Sequence, residues 1–164
     1  MILIGLGANL DSAAGSPQMT IAAALGAMAA RRIRVQKLSR FYRTPAWPNP
    51  ADPPFTNAVV RVQTPLGPAA LLDALHGIED EFGRIREVRN APRTLDLDLL
   101  DYDGRVEAGP PELPHPRIAE RAFVLVPLAE VSPDWRHPVS RRTVRELLAA
   151  IPEAERCAVR AVAP

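Results

Sequence analysis

Residues 91–101 read APRTLDLDLLD, and this alternation constrains the chain more than any other feature. Leucines alternate with Asp96 and Asp98, and a period of two predicts a β-strand with one apolar face and one carboxylate face. Residues two positions apart on a strand are separated by about 7 Å, so the two carboxylates can point to a common place on the same face. They repel each other unless a cation intervenes, and Mg²⁺ typically binds one or two protein carboxylates together with substrate phosphates. The stretch therefore predicts a candidate metal site, although Asp-x-Asp taken alone fits a solvated edge strand at least as well.

Length and charge limit the classes of protein to which this chain can belong. Its 164 residues are expected to form a single domain over residues 1–164. A net charge of +1 and the lack of a long apolar run argue against nucleic-acid and membrane partners. We expect a cytoplasmic protein, because the single cysteine, Cys157, fits a reducing compartment. We expect a monomer, because no large apolar repeat remains outside the predicted elements.

The apolar periodicity predicts the order strand, helix, two strands, helix, strand, followed by further elements. Predicted strands cover 1–7, 33–43 and 55–64 and the aspartate stretch, and predicted helices begin at Pro17 and Pro68. Residues 122–129 suit a strand or a short buried helix, a final helix is predicted from Ser140 to Pro152, and a short strand over 158–162. This order is typical of an α+β fold: a ferredoxin-like (split βαβ) antiparallel sheet with helices packed on one face and a C-terminal helical extension.

Four arginines precede the two aspartates, at Arg84, Arg86, Arg89 and Arg93. On charge alone they could form a helix end and a solvated loop. Their position directly before the carboxylates instead favours a site with a metal on one side and phosphate-matching guanidinium groups on the other, as a nucleoside triphosphate requires. No Gly-x-x-x-x-Gly-Lys loop occurs, so such a site would not be of the P-loop type.

Further side chains could bind a ligand, but each has a structural alternative. His115 lies between two prolines, which would hold it stiffly, yet a lone histidine without a zinc-spaced Cys or Glu is more often structural. Phe123 could be a core residue or one wall of a ring-binding site. Phe55 and Asn57 offer an aromatic face and a planar amide, which suit a flat heterocycle, although Asn57 could also cap a strand.

The segment from Arg89 to Leu100, R-x-A-P-R-x-x-D-L-D-L-L, resembles the signature of the 6-hydroxymethyl-7,8-dihydropterin pyrophosphokinase family of folate biosynthesis. The block Pro-His-Pro followed by Arg-x-Phe-Val-Leu, and the Thr-Pro and aromatic-x-Asn pairs further upstream, are similar to other segments of that family. The resemblance extends from about Leu3 to Pro138. It implies a ferredoxin-like sheet and the transfer of pyrophosphate from ATP to the hydroxymethyl group of the pterin, which yields the pterin diphosphate and AMP.

The resemblance also implies roles for individual residues, with ATP as co-substrate and two Mg²⁺ ions held by Asp96 and Asp98. The residues implied in catalysis are Arg86, Arg93, Asp96 and Asp98. Those implied in ATP binding are Glu79, Arg86, Arg89, Arg93, Leu99, His115 and Arg121. Those implied in pterin binding are Thr44, Pro45, Phe55, Asn57 and Phe123.

Two other classes of function stay open at the level of sequence. One is a different Mg²⁺-dependent Asp-x-Asp enzyme that transfers a phosphoryl or glycosyl group. The other is a non-catalytic ferredoxin-like module that binds its ligand without metal or ATP. A nuclease is disfavoured, because a net charge of +1 does not supply a basic surface.

Overall fold

The structure, a computed structural model, describes residues 1–47, 49–85 and 91–162. As predicted, the Ser16 side chain caps the first helix, and Gly83 follows the second helix with a φ of 75°. The strands are β1 (Ile2–Ala8), β2 (Arg34–Leu38), β3 (Tyr42–Thr44), β4 (Phe55–Gln63), β5 (Asp96–Tyr102) and β6 (Arg160–Ala161). The helices are α1 (Pro17–Ala30), α2 (Pro68–Glu81), α3 (Ala122–Val131), α4 (Val144–Ala150) and α5 (Glu153–Cys157), and a 3-10 turn covers Ile118–Glu120.

One antiparallel sheet contains all of the strands in the described part of the chain. Their order is β5-β1-β4-β3-β6, and β2 pairs with β4 beside β3. Because β2 and β3 both lie along β4, they act as one interrupted strand, and the chain then runs β-α-β-β-α-β. This is the split βαβ arrangement, so the predicted α+β fold class is confirmed.

The single strand predicted over 33–43 is wrong, because the chain breaks between β2 and β3. At the break, the Ser39 N–H donates to the Val59 carbonyl at 3.0 Å, and the Ser39 hydroxyl accepts from the Val59 N–H at 3.0 Å. A side-chain oxygen therefore replaces a backbone partner at this point of the ladder. Beyond the break, β3 ends at Thr44, directly opposite Phe55 on β4.

Helices cover both faces of the sheet and not one face as predicted. On the first face, α1 and α2 pack over a core that includes the three leucines of the alternating stretch. On the second face, α3 and α4 pack over Leu3, Val59 and Leu100, each at most 1% exposed. The second layer is needed because these apolar side chains would otherwise lie in water.

The C-terminal helices cover only part of the second face. Further along the strands, the same face carries Gly5 and Gly7 on β1, Asn57 on β4, and Asp96 and Asp98 on β5. Small and polar residues here replace the apolar residues that α3 and α4 bury. The fold thus leaves open the part of the sheet where the sequence predicts chemistry.

Residues 122–131 form the helix α3, so the helical alternative is the correct one for the apolar stretch over 122–129. Helix α4 begins at Val144 and not at Ser140, because Thr143 and Glu146 form a capping box: the Thr143 N–H donates to Glu146 Oε2 at 2.7 Å. Helix α4 ends before Pro152, as predicted, but it is not the last helix, because α5 follows. None of the described helices has the length and apolar character of a membrane span.

A buried hydrogen bond in the apolar core beneath α3 and α4 leads to a prediction about stability. Trp135 Nε1 donates to Asp101 Oδ2 at 2.7 Å, and the two residues are 4% and 2% exposed. We expect Trp135→Phe to lower the free energy of unfolding by about 2–4 kcal/mol, because a buried carboxylate loses its donor and the core loses volume. Urea unfolding measures the change. Trp47→Phe, at a side chain that is 65% exposed, is the control and should cost less than about 0.5 kcal/mol; equal losses would contradict this account.

Candidate active site

Two carboxylates on the edge strand lie at the centre of the candidate site. Asp96 pairs with the guanidinium groups of Arg84 and Arg93, with Arg93 Nη1 at 3.1 Å from Oδ2. Asp98 Oδ2 accepts a hydrogen bond from Arg121 Nη1 at 3.4 Å. Arg84 and Arg93 come from the chain before β5, whereas Arg121 immediately precedes α3. The pair of negative charges therefore lies among three groups that match phosphate oxygens.

The two carboxylates remain electrostatically strained despite these arginines. Burial, and after it the negative charge of Asp96, raises the pKa of Asp98 to about 6, while Arg121, Arg84 and Arg93 oppose the shift. The arginines therefore do not fully offset the cost of holding two negative charges together in a half-buried place. A further cation at this point would relieve that cost.

His115 lies at the rim of the cluster, with Nε2 3.9 Å from Asp98 Oδ2. Burial, and after it the positive charge of Arg121, lowers the pKa of His115 to about 4. The imidazole is therefore neutral at pH 7 and forms no ion pair with Asp98. Its Nδ1 accepts a hydrogen bond from the Arg117 N–H at 3.1 Å, so the ring proton is on Nε2. His115 thus presents a neutral donor beside the carboxylates.

A cavity of about 420 Å³ opens next to the carboxylates, on the outer edge of β5. Its volume suits a small-molecule ligand. Glu79 lies in its wall at 3% exposure, where Oε1 accepts from the Leu97 N–H at 2.7 Å and from Arg84 Nη1 at 2.9 Å. Backbone groups two residues apart on a strand point to the same side, so Leu99 presents its N–H and carbonyl at this edge. The wall also contains Leu72, His76, His115, Pro116 and residues 108–112.

A flat strip of sheet surface lies on the other side of Asp96. Gly7 is opposite Asn57 on one neighbouring strand and opposite Asp96 on the other. A Cβ atom at Gly7 would lie 3.1 Å from Asn57 Oδ1, so glycine keeps this surface open. Asn57 Nδ2 donates to the Thr44 hydroxyl at 2.8 Å, which fixes the amide plane. Asn57 Oδ1 accepts no hydrogen bond from the described residues and is available to a ligand.

Two phenylalanine rings flank the carboxylates, and each lies against an arginine. Arg93 Cζ is 5.6 Å from the centroid of the Phe55 ring, and Arg121 Cζ is 5.5 Å from the centroid of the Phe123 ring. Phe55 shares a face of β4 with Asn57, whereas Phe123 lies in the first turn of α3. Each ring is thus connected to one carboxylate through an arginine.

The structure brings together most of the residues that the sequence singles out. Arg86 and Arg89 lie outside the described residues, and their roles stay predictions. Pro45 follows Thr44 and is exposed, without a described contact to the carboxylates. The residues that line the cavity, the strip or the carboxylate pair are Thr44, Phe55, Asn57, Glu79, Arg93, Asp96, Asp98, Leu99, His115, Arg121 and Phe123.

Two residues for which no individual role was predicted also shape the site. Arg84 bridges Glu79 and Asp96, and its place among the other arginines was a sequence signal for it. Asn9 is buried, its Oδ1 accepts from the Arg93 N–H at 2.7 Å, and its Nδ2 donates to the Pro53 carbonyl at 2.9 Å. Asn9 therefore holds two loops in place, a role that the turn after β1 did not reveal.

The donor set suits a cation that arrives with a phosphate. Within residues 1–47, 49–85 and 91–162, no group of three or more His, Cys, Asp or Glu side chains could hold a metal ion. Asp96 and Asp98 provide two carboxylates on one strand face, with guanidinium groups beside them. Mg²⁺ typically takes one or two carboxylates and completes its coordination with substrate phosphates and water. The pair therefore fits Mg²⁺ bound together with a nucleotide.

Comparison with known proteins identifies close relatives. A family model described as "7,8-dihydro-6-hydroxymethylpterin-pyrophosphokinase (HPPK)" matches residues 3–133. The "2-amino-4-hydroxy-6-hydroxymethyldihydropteridine pyrophosphokinase" of Synechocystis sp. is 42% identical over 147 residues, which cover 89% of this chain and 73% of that protein. The protein of the same name from Methylorubrum extorquens is 43% identical over 150 residues, which cover 90% of this chain and 91% of that protein.

A solved structure, Plasmodium falciparum HPPK-DHPS wild type, shares the fold, with a TM-score of 0.66 at 13% identity. The comparison covers 90% of this chain and 44% of the other, so this chain spans less than half of that longer protein. The family match covers nearly all of β1, the strands β2 to β5 and the helices α1 to α3. The chain therefore belongs to the 7,8-dihydro-6-hydroxymethylpterin-pyrophosphokinase family.

Proposed function

We propose that this chain transfers the pyrophosphoryl group of ATP to the hydroxymethyl oxygen of 6-hydroxymethyl-7,8-dihydropterin, in folate biosynthesis. The products are the pterin diphosphate and AMP. One observation carries the proposal: Asp96 and Asp98 lie between a nucleotide-sized cavity and the flat surface formed by Gly7 and Asn57. Membership of the family supports the same reaction.

In this proposal, ATP occupies the cavity on the outer edge of β5, and its triphosphate lies beside the carboxylate pair. The cavity wall at Glu79 and the exposed backbone of Leu99 border the adenosine. Arg93 and Arg121 are close enough to the carboxylates to neutralise phosphate charge at the same point. The roles proposed for Arg86 and Arg89 in ATP binding rest on the family resemblance.

The pterin lies on Gly7, with its amide edge at Asn57 and its ring between Phe55 and Phe123. The free Oδ1 of Asn57 accepts from a pterin N–H, while the Thr44 hydroxyl holds the amide in plane. Pro45 borders the ring as the residue that follows Thr44. This orientation directs the hydroxymethyl group towards the carboxylates, since Gly7 is opposite both Asn57 and Asp96.

The transfer forms a bond between the hydroxymethyl oxygen and the β-phosphorus. The bond from the β-phosphorus to the oxygen that bridges to the α-phosphorus breaks, and AMP leaves with that oxygen. The hydroxyl proton is released to solvent. Arg93 and Arg121 stabilise the charge on the transferred group, and neutral His115 donates from Nε2 to a phosphate oxygen. Catalysis by these residues is therefore mainly positioning and charge stabilisation.

We further propose that Asp96 and Asp98 hold two Mg²⁺ ions together with the triphosphate. When bound, the ions supply charge neutralisation and lower the pKa of the attacking hydroxyl group. The position of both carboxylates on one strand face, beside the cavity, supports this part of the proposal. Residues 1–164 as one catalytic unit, a monomeric state and a cytoplasmic location stay predictions.

The first prediction concerns the carboxylate pair. We expect Asp98→Asn to reduce AMP formation by on the order of 10³, because a ligand for the bound cations is lost. The free energy of unfolding should stay equal or rise, since one member of a repelling pair loses its charge. AMP formation from ATP, Mg²⁺ and the pterin, together with urea unfolding, measures both effects. Asp73→Asn, on the exposed side of α2, is the control, and wild-type turnover in Asp98→Asn would refute the role.

The second prediction concerns the floor under the pterin. In Gly7→Ala, the new Cβ would lie 3.1 Å from Asn57 Oδ1, so the amide must shift and the pterin affinity should fall about tenfold. Gly5→Ala is the matched control, because the three atoms nearest to its Cβ would all belong to the Leu100 side chain, the closest at 3.5 Å, an ordinary contact. Calorimetry with the pterin compares the two variants. Equal affinities would show that the ring binds elsewhere.

The third prediction concerns the metal. Because the described residues supply two carboxylates and no third acidic or histidine ligand, Mg²⁺ alone should bind weakly. A non-hydrolysable ATP analogue should bind far more tightly with Mg²⁺ than with EDTA, and Asp98→Asn should remove most of that difference. Calorimetric titration in both buffers tests this. The same affinity with and without Mg²⁺ would overturn the proposed metal site.

A further inference from the structure

The proline-rich loop over residues 44–54, which connects β3 to β4, and the loop that carries His115 meet at a contact that the proposed reaction does not use. The Arg117 guanidinium lies over the Trp47 ring, with Cζ 5.8 Å from the ring centroid. We propose that Arg117 is a further phosphate-binding residue of the ATP site and that Trp47 is the residue that positions it. This inference rests on the proposed function, because it adds a contact to the same nucleotide.

Arg117 is adjacent to the site along the chain. The residue before it, Pro116, lines the ATP cavity. The Arg117 N–H donates to His115 Nδ1 at 3.1 Å, so one hydrogen bond orients the imidazole and fixes the start of the Arg117 side chain. Its positive charge also contributes, after burial, to the lowered pKa of both His115 and Arg121. Arg117 is therefore close to two groups that the proposed mechanism assigns to the triphosphate.

The charge of Arg117 is not balanced by a carboxylate in the described part of the chain. Arg84, Arg93 and Arg121 each pair with Asp96 or Asp98, whereas the described partner of the Arg117 guanidinium is an aromatic ring. A half-buried cation near other positive groups raises the local potential and favours the arrival of an anion. The polyphosphate of ATP is the anion that this site is proposed to bind.

The loop that contains Trp47 is anchored so that the Trp47 ring lies against the Arg117 guanidinium. The proline-rich loop is anchored at both ends, because the Thr44 hydroxyl accepts from Asn57 Nδ2 at 2.8 Å and the Pro53 carbonyl accepts from Asn9 Nδ2 at 2.9 Å. Trp47 lies between these anchors and is 65% exposed, so core packing does not explain its position. A guanidinium that lies over an indole ring still has N–H groups at its own edge that can donate to oxygen acceptors.

Calorimetric titration with a non-hydrolysable ATP analogue and Mg²⁺ tests the proposal in a double-mutant cycle. Arg117→Ala should weaken binding about tenfold, because a charge-assisted hydrogen bond to phosphate is lost. Trp47→Ala should weaken it about threefold, and the double variant should bind no more weakly than Arg117→Ala, since Trp47 acts through Arg117. Arg105→Ala is the matched control: Arg105 stacks on Tyr102 at 5.0 Å, at the opposite end of β5 from Asp96, and its loss should leave binding unchanged.

The outcomes separate this inference from the proposed function. If the wild-type chain binds no analogue or forms no AMP, the proposed function itself is wrong. If the wild-type chain does both, three results would each overturn the role of Arg117 and Trp47. The first is an affinity of Arg117→Ala for the ATP analogue within about twofold of wild type. The second is a double variant in which the two losses of affinity add. The third is a loss of affinity for the pterin alone in Arg117→Ala that equals its loss of affinity for the analogue.

Discussion

Two like charges on one face of an edge strand, two residues apart, are the constraint on which the rest of this site depends. Repulsion between such carboxylates grows as water is removed from around them. Three arginines surround Asp96 and Asp98, yet burial and the neighbouring charge still raise the pKa of Asp98 to about 6. The site therefore holds two carboxylates at an electrostatic cost that the arginines reduce without removing, and it places them beside groups that bind anions. This combination favours a dication and a polyphosphate together over either of them alone.

The fold supplies this arrangement by dividing the second face of the sheet. Helices α3 and α4 cover the part that contains Leu100, and the part that contains Asp96 and Asp98 stays open. Because α3 begins at the boundary between the two parts, the residue before it, Arg121, reaches Asp98. The packing that buries an apolar patch thus also delivers a cation to the site. The apolar core beneath α3 and α4 therefore contributes both to stability and to the position of Arg121 in the site.

Local patterns predicted the elements well wherever one periodicity or one cap was unambiguous. The alternating stretch forms β5, and the start of α1 at Pro17 and the stop after α2 at Gly83 follow the expected chemistry. Errors arose where a long-range contact decides. Ser39 bonds to Val59 and splits a predicted strand. For the apolar run after Arg121, local pattern left a strand and a helix open, and the run forms a helix that packs on the second face of the sheet. Neither partner is visible from the local sequence.

Local sequence was enough to predict which side chains share a face of one strand, because side chains alternate along a strand whatever lies elsewhere in the chain. It therefore predicted the paired carboxylates, their leucine-rich reverse face and the arginines beside them. The folded arrangement was needed to learn which arginine pairs with which carboxylate, that Asn9 bonds to Arg93 across 84 residues, and that burial and Arg121 keep His115 neutral. Such contacts, and the burial that shifts a pKa, result from packing between segments far apart in the chain, about which local periodicity carries no information.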